Sequence, residues 1–290
     1  MDTSEQINGR VLSIQSHVVH GYVGNRAAVL PLQLLGYDVD FINSVQFSNH
    51  SGYKNGLTGQ RLTGQDVLDL SVGLEKNSLD NDYTHLLTGY IGTVSFLSCV
   101  MSLVDKLKAK NKGLMYVCDP VLGDDGNLYV PEELVQVYRD DLIKRADVVT
   151  PNQFEAEKLS QIKINTHDDA IKVIEWFHNK GVPLVVLTSC SLQDRQNLTL
   201  IASRSTTNEK YEIEFPKIQG FFTGTGDMTA ALLLAWSNIH KDDLKLAIEK
   251  AIAGVQSVLH NTPSGEELHL IQSRKLIPNP KVTHFAKAIN

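Results

Sequence analysis

The sequence has little cysteine. Cys99, Cys118 and Cys190 are scattered, odd in number and free of C-x-x-C spacing, which argues against a disulfide framework or a cysteine-built metal site and suits a reducing compartment. Positive charge is scarce as well. The 27 Lys and Arg are outnumbered by 33 Asp and Glu, no Lys/Arg-rich block occurs, and the formal charge is −6; this balance argues against a nucleic-acid surface. Long apolar runs are missing: the longest, Ala230 to Trp236, is far too short to span a bilayer. The first residues, Met1-Asp2-Thr3-Ser4-Glu5-Gln6, are acidic and polar and show no signal-peptide pattern. The expectation is a soluble, cytoplasmic protein with no nucleic-acid or membrane partner.

Several catalytic signatures are absent too. There is no G-x-x-x-x-G-K-[ST] phosphate loop and no G-x-S-x-G nucleophile elbow. Gly224-x-Gly226 lacks the third glycine of a dinucleotide fingerprint and stands late in the chain rather than after the first strand. His17 and His20 lie three apart beside a turn, without a third ligand candidate.

What is present is a regular alternation. Strand-like segments at 10–16, 37–44, 84–88, 114–118, 146–149 and 184–187 are separated by helical patterns at 25–35, 63–76, 95–110, 131–138, 152–159 and 166–180. Pro31 falls inside the first helix and predicts a kink or an early break. Segments 198–202 and 211–215 read as a β-pair near the sheet edge, followed by helices at 228–236 and 242–260. Such alternation implies an α/β fold: a central, mostly parallel sheet flanked by helices on both faces, in one domain over residues 1–290. Residues 45–59, rich in Gly, Asn and Ser, read as a long mobile loop of the kind that is often functional.

The chain is organised around Phe221-Phe222-Thr223-Gly224-Thr225-Gly226-Asp227-Met228, a glycine turn entering an apolar helix. Glycine lets backbone approach a ligand closely, and the first N–H groups of a helix have no intrahelical partner and lie at its positive end. That combination receives an anion, most often phosphate. A carboxylate there is out of place unless it takes a proton from a group attacking the phosphate, so Asp227 suggests a kinase. The competing reading is an ordinary N-terminal helix residue, a position that carboxylates favour.

In open parallel sheets ligands bind beyond the carboxyl ends of the strands. Polar residues gather there: Ser16-His17, Asn43-Ser44, Thr88-Gly89-Tyr90, Asp119, Asp124, Thr150-Pro151-Asn152 and Thr188-Ser189. Ordinary turn preferences cover about half of these positions. They do not readily cover Asp119, directly after a buried run, or Glu155, one helical turn beyond Asn152. Two carboxylates near a phosphate site are a plausible Mg²⁺ environment.

With these residues in hand, the chain resembles the ribokinase-like superfamily and, within it, the pyridoxal kinases. The segments carrying the likeness begin at Val11 (VLSIQSHVVHGYVGNR), Asn43 (NSVQFSNHSGYK), Leu87 (LTGYI), Tyr116 (YVCDPVLGDD), Leu128 (LYVPEELV), Val149 (VTPNQFEAEK) and Thr223 (TGTGDM), spanning nearly the whole chain. The resemblance implies ATP-dependent phosphorylation of the 5′-hydroxymethyl of pyridoxal, pyridoxine and pyridoxamine. It implies that Asp227 is the base and that the backbone of Gly224, Thr225 and Gly226 is the anion hole. Ser16 and Ser51 would contact the pyridine ring, and Val23 and Tyr90 would line its pocket. Asp119 and Glu155 would lie in the cation-and-phosphate region, and Asp124, Tyr129, Thr150, Asn152, Thr188 and Ser189 on the nucleotide side. It also implies Mg²⁺, a monovalent cation such as K⁺, and a homodimer. The family commonly has Thr where this chain has Ser51, which keeps the hydroxyl; Thr223 is assigned no role. A related hydroxymethylpyrimidine kinase would commonly carry Cys at the place of Asp227, and sugar kinases of the superfamily read GAGD. A non-catalytic carrier of the same fold would have lost Asp227 or the glycines.

Overall fold

A computed structural model of the protein describes residues 7–192 and 196–289. In chain order its elements are β1 (Gly9–Val18), α1 (Asn25–Leu34), β2 (Tyr37–Phe47), β3 (Gly59–Arg61), α2 (Gly64–Lys76), β4 (His85–Thr88), α3 (Val94–Lys110) and β5 (Met115–Cys118). Next come β6 (Gly123–Asp124), β7 (Asn127–Leu128), α4 (Glu132–Val137), β8 (Val148–Val149), α5 (Gln153–Ser160), α6 (His167–Asn179), β9 (Leu184–Cys190), β10 (Asn197–Arg204) and β11 (Glu209–Pro216). The chain continues through α7 (Thr225–Ile239), α8 (Leu244–His260) and β12 (Lys287–Ala288).

The main sheet has the order β12-β11-β10-β9-β8-β5-β4-β1-β2-β3. Every pairing from β9 to β2 is parallel, whereas β3 at one edge and β10 to β12 at the other pair antiparallel. Successive strand residues face opposite sides, so apolar runs feed two cores at once. Leu12, Ile14, Leu86, Tyr116, Cys118 and Val149 pack with α2 to α6. Their neighbours Val11, Leu87, Val117 and Val148 pack with α1, α7 and α8. The result is the expected three-layer arrangement. No helix among the described residues is long and apolar enough to cross a membrane.

Three local expectations change, and one feature is new. Pro31 does not break its helix, which runs on to Leu34 and closes at Gly36 with φ +81°. Residues 45–59 are only partly loop: β2 continues to Phe47 and pairs with β3 from Val45↔Arg61 to Phe47↔Gly59, because the Val-Gln-Phe alternation carries on past Ser44. The helix expected at 228 starts at Thr225, so the glycine turn is itself its first turn. The segment after Gly123 folds as a β6–β7 hairpin around Asp125 and Gly126, both at positive φ; the Asp-Gly pair is its sequence signal.

Candidate active site

The chain winds outward from β1 to β2, then returns to place β4 on the other side of β1. Ligands favour the crevice at such a reversal. Backbone hydrogen bonds carry the ladder past the strand ends and align the loops beyond them: Gly89 N–H to Ile14 O (3.1 Å), Asp119 N–H to Thr88 O (2.9 Å), Thr150 N–H to Cys118 O (3.2 Å) and Thr188 N–H to Pro151 O (3.0 Å). Ser16 late in β1, Tyr90, Asp119 and Thr150 just beyond β4, β5 and β8, and Thr188 late in β9 thus lie at one end of the sheet.

The glycine turn meets the β1–α1 loop there. Gly224 caps α7 from the left-handed region (φ +76°), and a Cβ on it would collide with the Tyr22 carbonyl oxygen. Helix α7 has no side-chain cap, and its first intrahelical acceptor, Gly224 O, receives the Met228 N–H at 3.1 Å. The N–H groups of Thr225 and Gly226 therefore remain available to an anion. Asp227 does not cap its own helix. Its Oδ2 instead accepts the Gly24 N–H at 2.7 Å. Burial raises its carboxyl above the ordinary value, and the Gly24 N–H partly offsets the rise.

Asp119 is 4% exposed. Its Oδ1 accepts the Thr150 hydroxyl at 3.1 Å, while its Oδ2 is buried without a partner. Burial pushes this carboxyl up to about 8, and the Asp227 charge adds to the rise. An unpaired buried carboxylate oxygen is costly, and a hard cation is the group that would relieve it. Glu155 is different. Its Oε2 accepts the Asn152 N–H (2.9 Å) and its Oε1 the Leu122 N–H (3.1 Å). Asn152 Oδ1 in turn accepts the Glu155 N–H (2.8 Å), and Asn152 Nδ2 donates to Gly123 O (2.9 Å). This is the capping box of α5 tied to the segment before the hairpin. Burial, then the Asp119 charge, still raises the Glu155 carboxyl well above its ordinary value. No group of three or more His, Cys, Asp or Glu able to hold a metal occurs among the described residues, so a cation here would depend on phosphate oxygens as well.

On the ring side, Ser16 and Val23 are half-buried on β1 and its loop. Tyr90 accepts a hydrogen bond from Arg61 at its hydroxyl (3.2 Å), and its carbonyl accepts one from Ser44 (2.6 Å). Ser51 is exposed at the tip of the β2–β3 loop. On the other side, Asp124 and Tyr129 are exposed on the hairpin, and Thr188 and Ser189 are half-buried at the end of β9. Sequence reading missed Gly24, whose N–H holds Asp227. It also missed His50 and Glu267, 3.0 Å apart, which link the loop tip to the chain after α8. Gly24 and His50 lie within segments that carry the family likeness but were assigned no role, and no motif pointed to Glu267.

The family model described as Phosphomethylpyrimidine kinase matches residues 64–271. A pyridoxal kinase of Arabidopsis thaliana is 51% identical across 94% of this chain and 93% of its own length. The pyridoxal kinase of Homo sapiens is 42% identical across 94% of this chain and 96% of its own. Among solved structures, pyridoxal kinase from Leishmania donovani in complex with ADP and pyridoxamine superposes with a TM-score of 0.91 at 39% identity, covering 97% of this chain and 99% of that one. With its mostly parallel sheet, its glycine turn and relatives matched nearly end to end, the chain belongs to the pyridoxal kinase family of the ribokinase-like fold.

Proposed function

We propose that this protein is an ATP-dependent kinase that phosphorylates the 5′-hydroxymethyl group of pyridoxal, pyridoxine and pyridoxamine. The observation that carries this reading is the carboxylate of Asp227, which caps nothing and stands on an α7 N-terminus whose N–H groups are free. The substrate alcohol gives its proton to Asp227 as its oxygen bonds to the γ-phosphorus. The bond from that phosphorus to the β-phosphate oxygen breaks, and ADP leaves. The N–H groups of Gly224, Thr225 and Gly226 hold the equatorial phosphoryl oxygens, which is the main demand of such a transition state. A carboxyl raised by burial is a better proton acceptor than a free one.

Ser16 and Ser51 would bind the pyridine ring between Val23 and Tyr90. Asp124, Tyr129, Thr150, Thr188 and Ser189 would face the nucleotide, with Asn152 shaping that side through its bond to Gly123 O. A divalent cation, Mg²⁺ by the chemistry of the donors, would be held by Asp119, with Glu155 contributing charge from one remove; it would neutralise phosphate charge. A monovalent cation such as K⁺, a homodimer, a single kinase domain over residues 1–290 and a cytoplasmic location complete the proposal.

The Phosphomethylpyrimidine kinase match favours one second reading, a hydroxymethylpyrimidine substrate. ADP release from Mg·ATP with pyridoxal, pyridoxine, pyridoxamine, hydroxymethylpyrimidine and ribose separates the two. Turnover of the pyrimidine or ribose without turnover of the vitamers would overturn the proposal.

A further inference from the structure

The β2–β3 loop has few ties to the rest of the fold. Among the described residues, every hydrogen bond that leaves segment 49–57 goes to Glu267, to Thr223 or to the adjoining Ser48, whose carbonyl accepts the His20 N–H. Glu267 Oε1 accepts the Tyr53 hydroxyl at 2.8 Å and lies 3.0 Å from His50 Nε2. Its Oε2 accepts the Tyr22 N–H at 2.8 Å. The Gly52 N–H donates to His50 Nδ1 at 3.1 Å, so the neutral imidazole carries its proton on Nε2 and donates it to Glu267, with Thr223 Oγ1 3.3 Å away. Burial alone would raise the Glu267 carboxyl, but the bonds from Tyr22, Tyr53 and His50 bring it below its ordinary value.

Glu267 is itself firmly placed. The next residue, Leu268, is buried with α7 and α8. Just before it, the Gly265 N–H donates to Phe221 O (3.1 Å), and Ser264 Oγ accepts the Phe221 N–H (3.3 Å). The same short segment therefore grips the start of the glycine-turn stretch. Through Tyr22 it grips the loop whose Gly24 N–H holds Asp227, and through His50 and Tyr53 it grips both flanks of Ser51.

We infer that Glu267 is a positioning residue: it fixes the β2–β3 loop against the β1–α1 loop and so sets Ser51 over the substrate ring. This rests on the kinase reading above for the identity of that substrate. A carboxylate is the group the arrangement requires, because its partners are donors on both sides. An amide would set its NH₂ against either the Tyr22 N–H or the His50 N–H.

The test is E267Q, with Y53F as a milder variant that touches only an exposed residue. In the free protein, hydrogen exchange of 49–57 should speed up ~10-fold in E267Q and ~3-fold in Y53F, the loss of a few hydrogen bonds and of one. KM for pyridoxal should rise ~10-fold in E267Q while KM for ATP stays within ~2-fold. The double variant should exchange no faster than E267Q alone, since both changes break one clasp. Unchanged exchange in folded E267Q, or fully additive effects, would overturn the inference, as would a pyridoxal KM that does not move. Should E267Q fail to fold, unchanged exchange in Y53F overturns it alone. A wild type inactive on every vitamer sinks the kinase reading, whereas the exchange comparison needs no substrate and still decides the clasp.

Discussion

The Gly24 N–H and the Asp227 carboxylate meet at 2.7 Å, across 203 residues of chain. The bond joins the loop after the first strand to the first turn of α7. It also sets where the proposed base points before any substrate arrives. Two residues earlier, the Tyr22 N–H is bonded to Glu267. A single short loop therefore orients both the base and the clasp of the substrate loop, each through a backbone N–H bonded to a side-chain carboxylate.

Gly24→Ala tests this join. Gly24 sits at φ +53°, ψ −131°, and a Cβ there would collide with the Ser16 carbonyl oxygen and hydroxyl. Alanine must move the loop, and the N–H moves with it. A displacement of a catalytic group by about 1 Å can cost ~10²-fold, so kcat/KM for pyridoxal should fall by at least about that factor. Steady-state kinetics beside a melting curve check it; near wild-type activity would mean that the Gly24–Asp227 bond orients nothing that matters.

Asp227→Asn separates the base from a helix-terminal residue. Asparagine keeps the shape and can still accept the Gly24 N–H, but it cannot take a proton from the alcohol. kcat should fall by ~10²–10⁴-fold with little change in pyridoxal affinity, the usual worth of a positioned general base. Because Asp227 makes no cap bond, the melting temperature should barely move. A kcat within a few-fold of wild type in a folded, pyridoxal-binding variant would end the assignment.

These expectations also show which parts of the molecule a sequence can disclose. The parallel sheet was legible because buried strands such as Val11 to Ile14 and Tyr116 to Cys118 are apolar on both faces, and that pattern is local. The phosphate turn was legible because two glycines and a carboxylate within four residues are rare for packing reasons alone. Glu155 was half legible: its capping box with Asn152 follows from spacing, but its bond to Leu122 N–H does not. Gly24, His50 and Glu267 were hidden because their roles exist only through partners hundreds of residues away, as with Tyr22 and Glu267. The Asp125-Gly126 hairpin is within reach of sequence alone, since its turn chemistry is local.

Ser51→Ala tests the ring side. Ser51 lies exposed at the loop tip in the free protein, so its hydroxyl would become buried only against a ligand. Removing it should leave a ring heteroatom unpaired, and pyridoxal use should weaken by about 1–3 kcal/mol, mostly in KM, with KM for ATP nearly unchanged. Ser51→Thr keeps the hydroxyl and should cost little. Hydrogen exchange of 48–58 should slow when pyridoxal and an ATP analogue bind together, as a closing lid requires. Equal damage to both KM values would place Ser51 outside the ring pocket.

Asp119 gives a prediction in pH. Its carboxyl is held up at about 8 by burial and then by the Asp227 charge, against an ordinary 3.8. A group with a raised folded-state pKa contributes stability that is complete below its unfolded value and is lost as pH rises through the folded one. For Asp119 that window runs from about pH 4 to about pH 8, where the folded protein holds a proton that the unfolded chain releases. Asp119→Asn removes the buried charge and keeps an acceptor for the Thr150 hydroxyl. The variant should therefore gain on wild type as pH rises from 5 to 9, with a melting-temperature advantage several degrees larger at pH 9 than at pH 5. Saturating Mg·ATP should erase the wild type's deficit at pH 9, because a cation beside Oδ2 stabilises the charged form, and should leave the variant less protected. Melting curves at both pH values, with and without Mg·ATP, check both statements. An Asn variant that gains the same few degrees at pH 5 as at pH 9 would show that Asp119 is already ionised in the free protein, and a wild type unmoved by Mg·ATP would remove it from the cation site.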